Sequence, residues 1–491
     1  MQMLRTLDKL NVDNSYARLP EHWFQRTSPK PLKNAHLISF NPRVARHLDL
    51  DPCQCNPDQL VNYFAGLQPL PGSSPLAMKY TGHQFGHYNP DLGDGRGQLL
   101  AEVINQRGER WDLHLKGAGQ TAFSRFGDGK AVLRSSIREY LVSEAMVGLG
   151  IPTTEALCLI GSEEYTSRLG MEPCAMLLRV TQCHIRFGHF EWLYYTKRHD
   201  ELKQLADYAI QRFYPEALQA DNPYLAFYQM IQAKTASLVA YWQAYGFVHG
   251  VLNTDNMSIL GETFDYGPFT FLDAYEPDHI ANKNDDAGRY AFFRQPAIVH
   301  WNLACLAQAL LPLVEREALE AELETFMNQF EVQLLQRRKA RLGLLTTHPD
   351  DAALIEKLWN LFKQNRTDIT RFFSAIADLS TEQLSIENLT EFTQSSEQHW
   401  DAWLKTYQQR IALEMASEPI RQQQLRSVNP RYLLRNYMAE EAIREATQGD
   451  YRLVNQLLPV LRHPTEAHPH LQRYQEAPPD WAKAICLTCS S

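Results

Sequence analysis

Asn256 and Asp265, nine positions apart, could between them hold a divalent cation. Each offers the oxygen ligands that magnesium prefers, with waters and phosphate oxygens completing an octahedron. Asp265 opens Asp265-Tyr266-Gly267-Pro268-Phe269, and Asn256 ends the run His249-Gly250-Val251-Leu252-Asn253-Thr254-Asp255-Asn256. Either residue alone is as readily a turn former. Phosphate-binding cations and glycine loops elsewhere in the chain would raise the pair above that.

In Trp111-Asp112-Leu113-His114-Leu115-Lys116-Gly117, apolar and polar residues alternate with the period of a half-buried strand, so Lys116 sits at a strand's end. A lysine there can also be plain surface decoration. Glu139 follows 23 residues later, on a segment whose Leu133, Ile137, Leu141 and Ala145 form the stripe of an amphipathic helix. A strand lysine paired with a helix glutamate is set against phosphates. Alternatively Glu139 pairs with Arg138 or Lys130 on a solvated face, worth roughly 0.3 to 0.5 kcal/mol. Upstream, Asp91-Leu92-Gly93-Asp94-Gly95-Arg96-Gly97-Gln98 precedes the strand-like Leu99-Leu100-Ala101-Glu102-Val103 and reads as a hairpin loop. Its Gly93 and Gly95 would let backbone amides approach phosphate, with Arg96 beside them. It is no Walker A motif, because no Gly-Lys-Ser/Thr follows. A second loop, Arg125-Phe126-Gly127-Asp128-Gly129-Lys130, repeats the Gly-Asp-Gly-basic pattern, so two such loops flank Lys116. Arg179 and Arg186 fall where the sheet-rich and helical parts would join; they could clamp phosphates bidentately or serve as structural ion-pair partners.

These residues need a large scaffold, and 491 residues suffice for two to four packed units at about 100 to 200 residues each. Residues 1–75, with several prolines and the breaker cluster Leu70-Pro71-Gly72-Ser73-Ser74-Pro75, read as an extension wrapped on the body. Glycine loops and short alternating runs mark 78–180 as a small α+β lobe. Helical spacing through 202–246 stops at Gly246 and delivers the chain into the Asn256 loop. Another apolar helix spans 296–314, and 315–447 is mostly helical, with breaks near His348-Pro349-Asp350 and Asn429-Pro430. A net charge of -9 argues against binding nucleic acid by phosphate neutralisation. The first twenty residues lack the apolar core of a signal peptide, and no run reaches the roughly 18 apolar residues of a membrane span, so a cytoplasmic protein is expected. The eight cysteines are too sparse for a disulfide framework. Cys486-Leu487-Thr488-Cys489 has redox or metal spacing, but a closed zinc site needs four ligands and no second Cys-x-x-Cys exists.

Taken in order, the glycine loop, Lys116, Glu139, His249-Gly250, Asn256 and Asp265-Tyr266-Gly267 resemble the active site of a protein kinase. In kinases the catalytic loop reads His-x-Asp-x-x-x-x-Asn, and its Asp accepts the substrate hydroxyl proton. Here that position is Val251. The fold class implied is α+β: a bilobal protein-kinase-like fold with an N-terminal extension and a large helical C-terminal region. Its expected units are the extension at 1–75, an N-lobe with nucleotide-binding loops at 76–180, a C-lobe with the metal and catalytic loop at 181–330, and a helical region at 331–491.

The chain further resembles, over most of its length, the SelO (YdiU) family of pseudokinase-fold protein adenylyltransferases. The resemblance is carried by Tyr80-Thr81-Gly82-His83-Gln84-Phe85-Gly86, Gly93-Asp94-Gly95-Arg96, Leu115-Lys116-Gly117, Arg134-Ser135-Ser136-Ile137-Arg138-Glu139, the run from His249 to Met257, and Asp265-Tyr266-Gly267-Pro268-Phe269. It implies ATP bound in inverted orientation, so that AMP is transferred to Ser, Thr or Tyr hydroxyls of protein substrates and pyrophosphate leaves, in a role linked to redox stress. By matching positions it implies nucleotide contacts at Gly93, Gly95, Arg96, Lys116, Asp128, Gly129, Arg179, Arg186 and Asp265. Asn256 and Asp265 would hold Mg2+ or Mn2+, Glu139 would orient Lys116, and Asp255 would be the proton acceptor. The family ends in Cys or selenocysteine third from the C-terminus, the place of Cys489. Some members pair it with an activation-segment cysteine; 273–295 contains none here, which leaves Cys486 as a local partner. Three rival readings stand beside this one: γ-phosphoryl transfer with Asp255 as a displaced base, UMP transfer from UTP with manganese, and an ATP-binding scaffold without catalysis.

Overall fold

The computed structural model describes residues 4–168, 170–393 and 396–488. Its sheet is built from β1 (Phe24–Arg26), β2 (His36–Phe40), β3 (Leu76–Gln84), β4 (His87–Gly93), β5 (Gly97–Ile104), β6 (Arg110–Lys116), β7 (Ala131–Val132), β8 (Glu155–Ser167) and β9 (Met171–Thr181). The order is β1-β3-β5-β6-β9-β8-β2, with β4 on β3 and β7 on β9, and every pairing is antiparallel. Both ends of that order come from the first 75 residues, so the N-terminal segment is woven into the sheet.

Two expectations from the pattern are corrected. The 91–98 stretch is no hairpin loop: β4 and β5 both pair with β3, and the 94–96 loop carries the chain from one partner to the other. Strand β6 is also covered on both faces, with Asp112, His114 and Lys116 buried along with Leu113 and Leu115. The polar face is covered against ionisable neighbours: His184 beside Asp112, Asp94 beside His114 at 3.3 Å, and Glu139 bonded to Lys116.

Helix Leu133–Gly148 is likewise buried almost all round, since it packs on β8 and β9 on one side and on helices Asn436–Thr447 and Arg452–Arg462 on the other. The C-terminal region thereby buttresses the helix that carries Glu139. Helix Pro223–Tyr245 starts where Asn222 caps the Tyr224 and Leu225 amides and stops at Gly246, whose φ of 73° is the left-handed conformation of a helix end. The chain then enters β10 (Phe247–His249), which pairs antiparallel with β11 (Phe269–Phe271). The 250–268 excursion between these strands carries Asn256 and Asp265. Helix Gln295–Leu310 and a mostly helical body follow, with a separate apolar core around Trp359, Phe362, Phe372 and Trp400. Among the described residues no helix is long and apolar enough to cross a membrane.

Candidate active site

A cavity of about 490 Å³ lies between the sheet and the 250–268 excursion, within the usual size range of small-molecule sites. Gly93, Gly95, Arg96, Lys116, Asp128, Gly129, Arg179, Arg186, Asp255, Asn256 and Asp265 all line it, as does Val251. Glu139 stands behind them. Residues separated by up to 172 positions in sequence therefore face one space.

An unbroken chain of charge runs along its back. Lys116 Nζ donates to Glu139, whose carboxylate also takes Arg179 at 2.5 and 3.1 Å. Arg179 reaches on to Asp265 at 2.7 Å, and Asp265 is held from the other side by Arg186. Arg186 also donates to the Asp255 main-chain carbonyl at 2.8 Å and lies over the rings of Tyr80 and Phe264. The two arginines, read from sequence as phosphate clamps or structural partners, are thus tied to carboxylates at the site itself.

Electrostatics follow from this packing. Burial alone would raise the carboxyls of Glu139 and Asp265, but the cations outweigh it: Arg179 and Lys116 bring Glu139 down to about 2, and Arg186 and Arg179 hold Asp265 well below the carboxylate range. Burial takes Lys116 down to about 8, against the opposing pull of Glu139, with Arg96 and Arg179 adding to the fall. Asp255 goes the other way: burial lifts it to about 7, only partly countered by Arg186 and Gln84. A carboxylate poised near neutrality can accept a proton from a substrate. Asp265 also has a φ of 55°, a left-handed backbone uncommon outside glycine and frequent at functional sites.

The first Gly-Asp-Gly loop packs on the 121–124 segment that leads into the second. Thr121 Oγ1 donates to the Asp94 carbonyl at 2.7 Å and Ser124 Oγ donates to the Gly95 carbonyl. Gly129, at φ 73°, lies so close to Gly119 that an added Cβ would fall 2.1 Å from the Gly119 carbonyl carbon. Glycine is required there first by loop packing. Asp128 is gripped by both ends of the Arg168 guanidinium, at 3.0 and 2.7 Å, and accepts the Lys130 amide at 3.0 Å. These bonds, with Thr166, outweigh burial and keep its carboxyl ionised. Arg168 also lines the cavity. No sequence signal marks it, because an isolated arginine in a strand connection 40 residues from Asp128 carries no motif.

His249 is a structural pillar: its Nε2 faces the Phe264 carbonyl at 3.2 Å and its ring packs near Trp242 and Phe247. Asn256 Nδ2 donates to the Val251 carbonyl at 2.9 Å, which leaves its Oδ1 for another partner. With the remaining lone pairs of Asp265, this makes a hard-oxygen donor set suited to a magnesium-like ion. No group of three or more His, Cys, Asp or Glu able to hold an ion occurs among the described residues, so a cation here would take few protein ligands and rely on waters and phosphates.

Cys489 lies outside the described residues. Cys486 is exposed and does not line the cavity. Its neighbour Leu487 accepts a hydrogen bond from the Lys283 amide at 2.9 Å, so the tail reaches the 273–295 stretch through main chain.

The sequence model of the family described as Protein adenylyltransferase SelO matches residues 6–462. The chain is 55% identical over 488 residues to a protein nucleotidyltransferase YdiU from Hahella chejuensis, covering 99% of both chains. It is 46% identical over 489 residues to the protein of the same name from Azotobacter vinelandii, covering 99% of this chain and all of that one. A third, from Photobacterium profundum, is 44% identical over 514 residues.

Proposed function

The chain belongs to the SelO family, and on that premise we propose that it is a protein adenylyltransferase, moving AMP from ATP to Ser, Thr or Tyr hydroxyls of other proteins. The observation that carries the reading is the linked set Lys116, Glu139, Arg179, Asp265 and Arg186 beside a buried Asp255, with Val251 where a kinase would need its catalytic Asp. A nucleotide scaffold would have no chemical use for a carboxylate held near neutrality next to such a set.

The acceptor hydroxyl oxygen attacks the α-phosphorus, and its proton passes to Asp255. The bond from the α-phosphorus to the bridging oxygen breaks, and the electron pair leaves with pyrophosphate. Lys116, oriented by Glu139, and the guanidiniums of Arg96, Arg179 and Arg186 hold the phosphates and neutralise the charge that builds on them. Asn256 and Asp265 would hold Mg2+ or Mn2+, which supplies further neutralisation of the phosphates when bound. The Arg168–Asp128 pair and the packed glycine loops fix the cavity's outer wall, so most of the rate comes from positioning and charge.

Incubation with α-labelled and γ-labelled ATP side by side, with Mg2+ or Mn2+, tests this. Label from the α position alone should become protein-bound. Label from the γ position would show phosphoryl transfer, and no covalent label would leave the scaffold reading. Competition by UTP over ATP would redirect the proposal to UMP transfer.

A further inference from the structure

The β3–β4 hairpin crosses from the sheet to the catalytic excursion. Its two-residue tip, Phe85 and Gly86 at φ 51° and 84°, is a turn of the I′ kind. Three contacts latch it down: His83 N–H to Thr254 Oγ1 at 2.7 Å, Phe85 N–H to Tyr290 Oη at 2.9 Å, and Tyr290 Oη on to Asn253 Oδ1 at 2.7 Å. At Gly82 the strand comes so near the loop that an added Cβ would lie 2.9 Å from Thr254 Oγ1 and 3.0 Å from the Asp255 amide nitrogen.

Within this hairpin a line of hydrogen bonds has a fixed direction. The Asp91 amide donates to Asn89 Oδ1 at 3.0 Å, and a backbone N–H can only donate. Asn89 must therefore present Nδ2 to its other neighbour, Gln84 Oε1, at 3.1 Å. Gln84 in turn must present Nε2 to Asp255 Oδ2, at 3.2 Å. Gln84 is the one side chain among the described residues that hydrogen-bonds to this carboxylate, and Asp255 Oδ1 is buried without a partner.

We infer that Asn89 and Gln84 are positioning residues for the transfer reaction: their relay of fixed polarity pins Asp255 by Oδ2 and so fixes how its carboxylate is presented to the cavity. The inference rests on the reading of Asp255 as the proton acceptor. It also makes the hairpin part of the catalytic geometry, since the carboxylate belongs to the 250–268 excursion and its clamp to the sheet. A glutamine valued only for filling space would be replaceable by any side chain of its size. A glutamine valued for its direction would not, and that direction is set two hydrogen bonds away, at residue 89.

The test measures kcat and KM for ATP from α-label incorporation at pH 8, alongside melting temperatures, for Gln84→Met, Asn89→Asp, the double variant and Asp255→Asn. Gln84→Met keeps the length and loses the donor; kcat should fall about tenfold or more while KM for ATP stays within about twofold, as expected for a lost bond to a charged group. Asn89→Asp offers Gln84 only acceptor oxygens and so turns its amide over, placing Oε1 against Asp255. It should lose turnover by a similar factor, and the double variant should be no worse than Gln84→Met alone. Asn89→Asp with wild-type kcat, or losses that multiply in the double variant, would overturn the relay. Should Gln84→Met fail to fold, the Asn89→Asp result decides. If Asp255→Asn keeps wild-type turnover, the proton-acceptor reading itself fails; if it is inactive while Gln84→Met and Asn89→Asp are not impaired, only the relay does.

Discussion

Glu139→Gln isolates the central charge of the site with almost no change of shape. Glu139 is 2% exposed and serves two cations, Lys116 and Arg179, the latter at 2.5 Å. At an effective dielectric of about 20, one unit-charge contact at that distance is worth roughly 7 kcal/mol before desolvation. Desolvation takes back much of this, and breaking a buried pair by removing one member costs about 3–5 kcal/mol. The variant should therefore melt several degrees below the wild type. Turnover should fall about a hundredfold or more, because the lysine loses its orientation against the phosphates. The pH dependence gives a sharper signature. Lys116 stands at about 8 only because Glu139 opposes the effect of burial. Without that carboxylate its folded value drops further below its ordinary value of 10.5. The ammonium is then neutral over more of the working range and regains its proton only as pH falls. The deficit in turnover should accordingly be larger at pH 8.5 than at pH 6.5, read from α-label incorporation at saturating ATP. An unchanged melting temperature together with a deficit independent of pH would refute the coupling of Lys116 to Glu139.

Asp265→Ala should be the most damaging single change in the cavity, lowering turnover by roughly 10² to 10³ or more, because it removes a proposed metal ligand and uncovers two guanidiniums at once; wild-type labelling by this variant would refute the assignment. Gly82→Ala puts a methyl within 3.0 Å of the Asp255 Cβ. It should cost about 1–3 kcal/mol as overpacking and lower kcat with little effect on ATP affinity, and equal melting and turnover would show that the close approach is unimportant.

Much of the site can be read without a structure because its parts are local. Lys116 at a strand end, Glu139 on a helix and Gly246 as a helix stop each follow from periodicity or from the stereochemistry of one residue, and the Asn256–Asp265 pair follows from its kinase-like order in the chain. The neighbours of those residues were not legible. Alternation along β6 suggests one solvated face, whereas the partners that bury it come from three other segments. The glycines of the 93–97 loop suggest phosphate contact, and their packing against the 119–129 loop emerges only when the two are brought together.

By itself, the sequence determined the inventory: two glycine loops, a lysine, a glutamate, two arginines and a pair of oxygen donors in kinase-like order, with Val251 in place of the expected base. The tertiary structure decided who neutralises whom. Arg186 meets Asp265 across 79 residues, Arg168 meets Asp128 across 40, and Gln84 meets Asp255 across 171. Local periodicity reports only which face of an element is apolar. Charge, protonation and the direction of a hydrogen bond depend on groups within a few ångströms, and distance along the chain says nothing about which groups those will be.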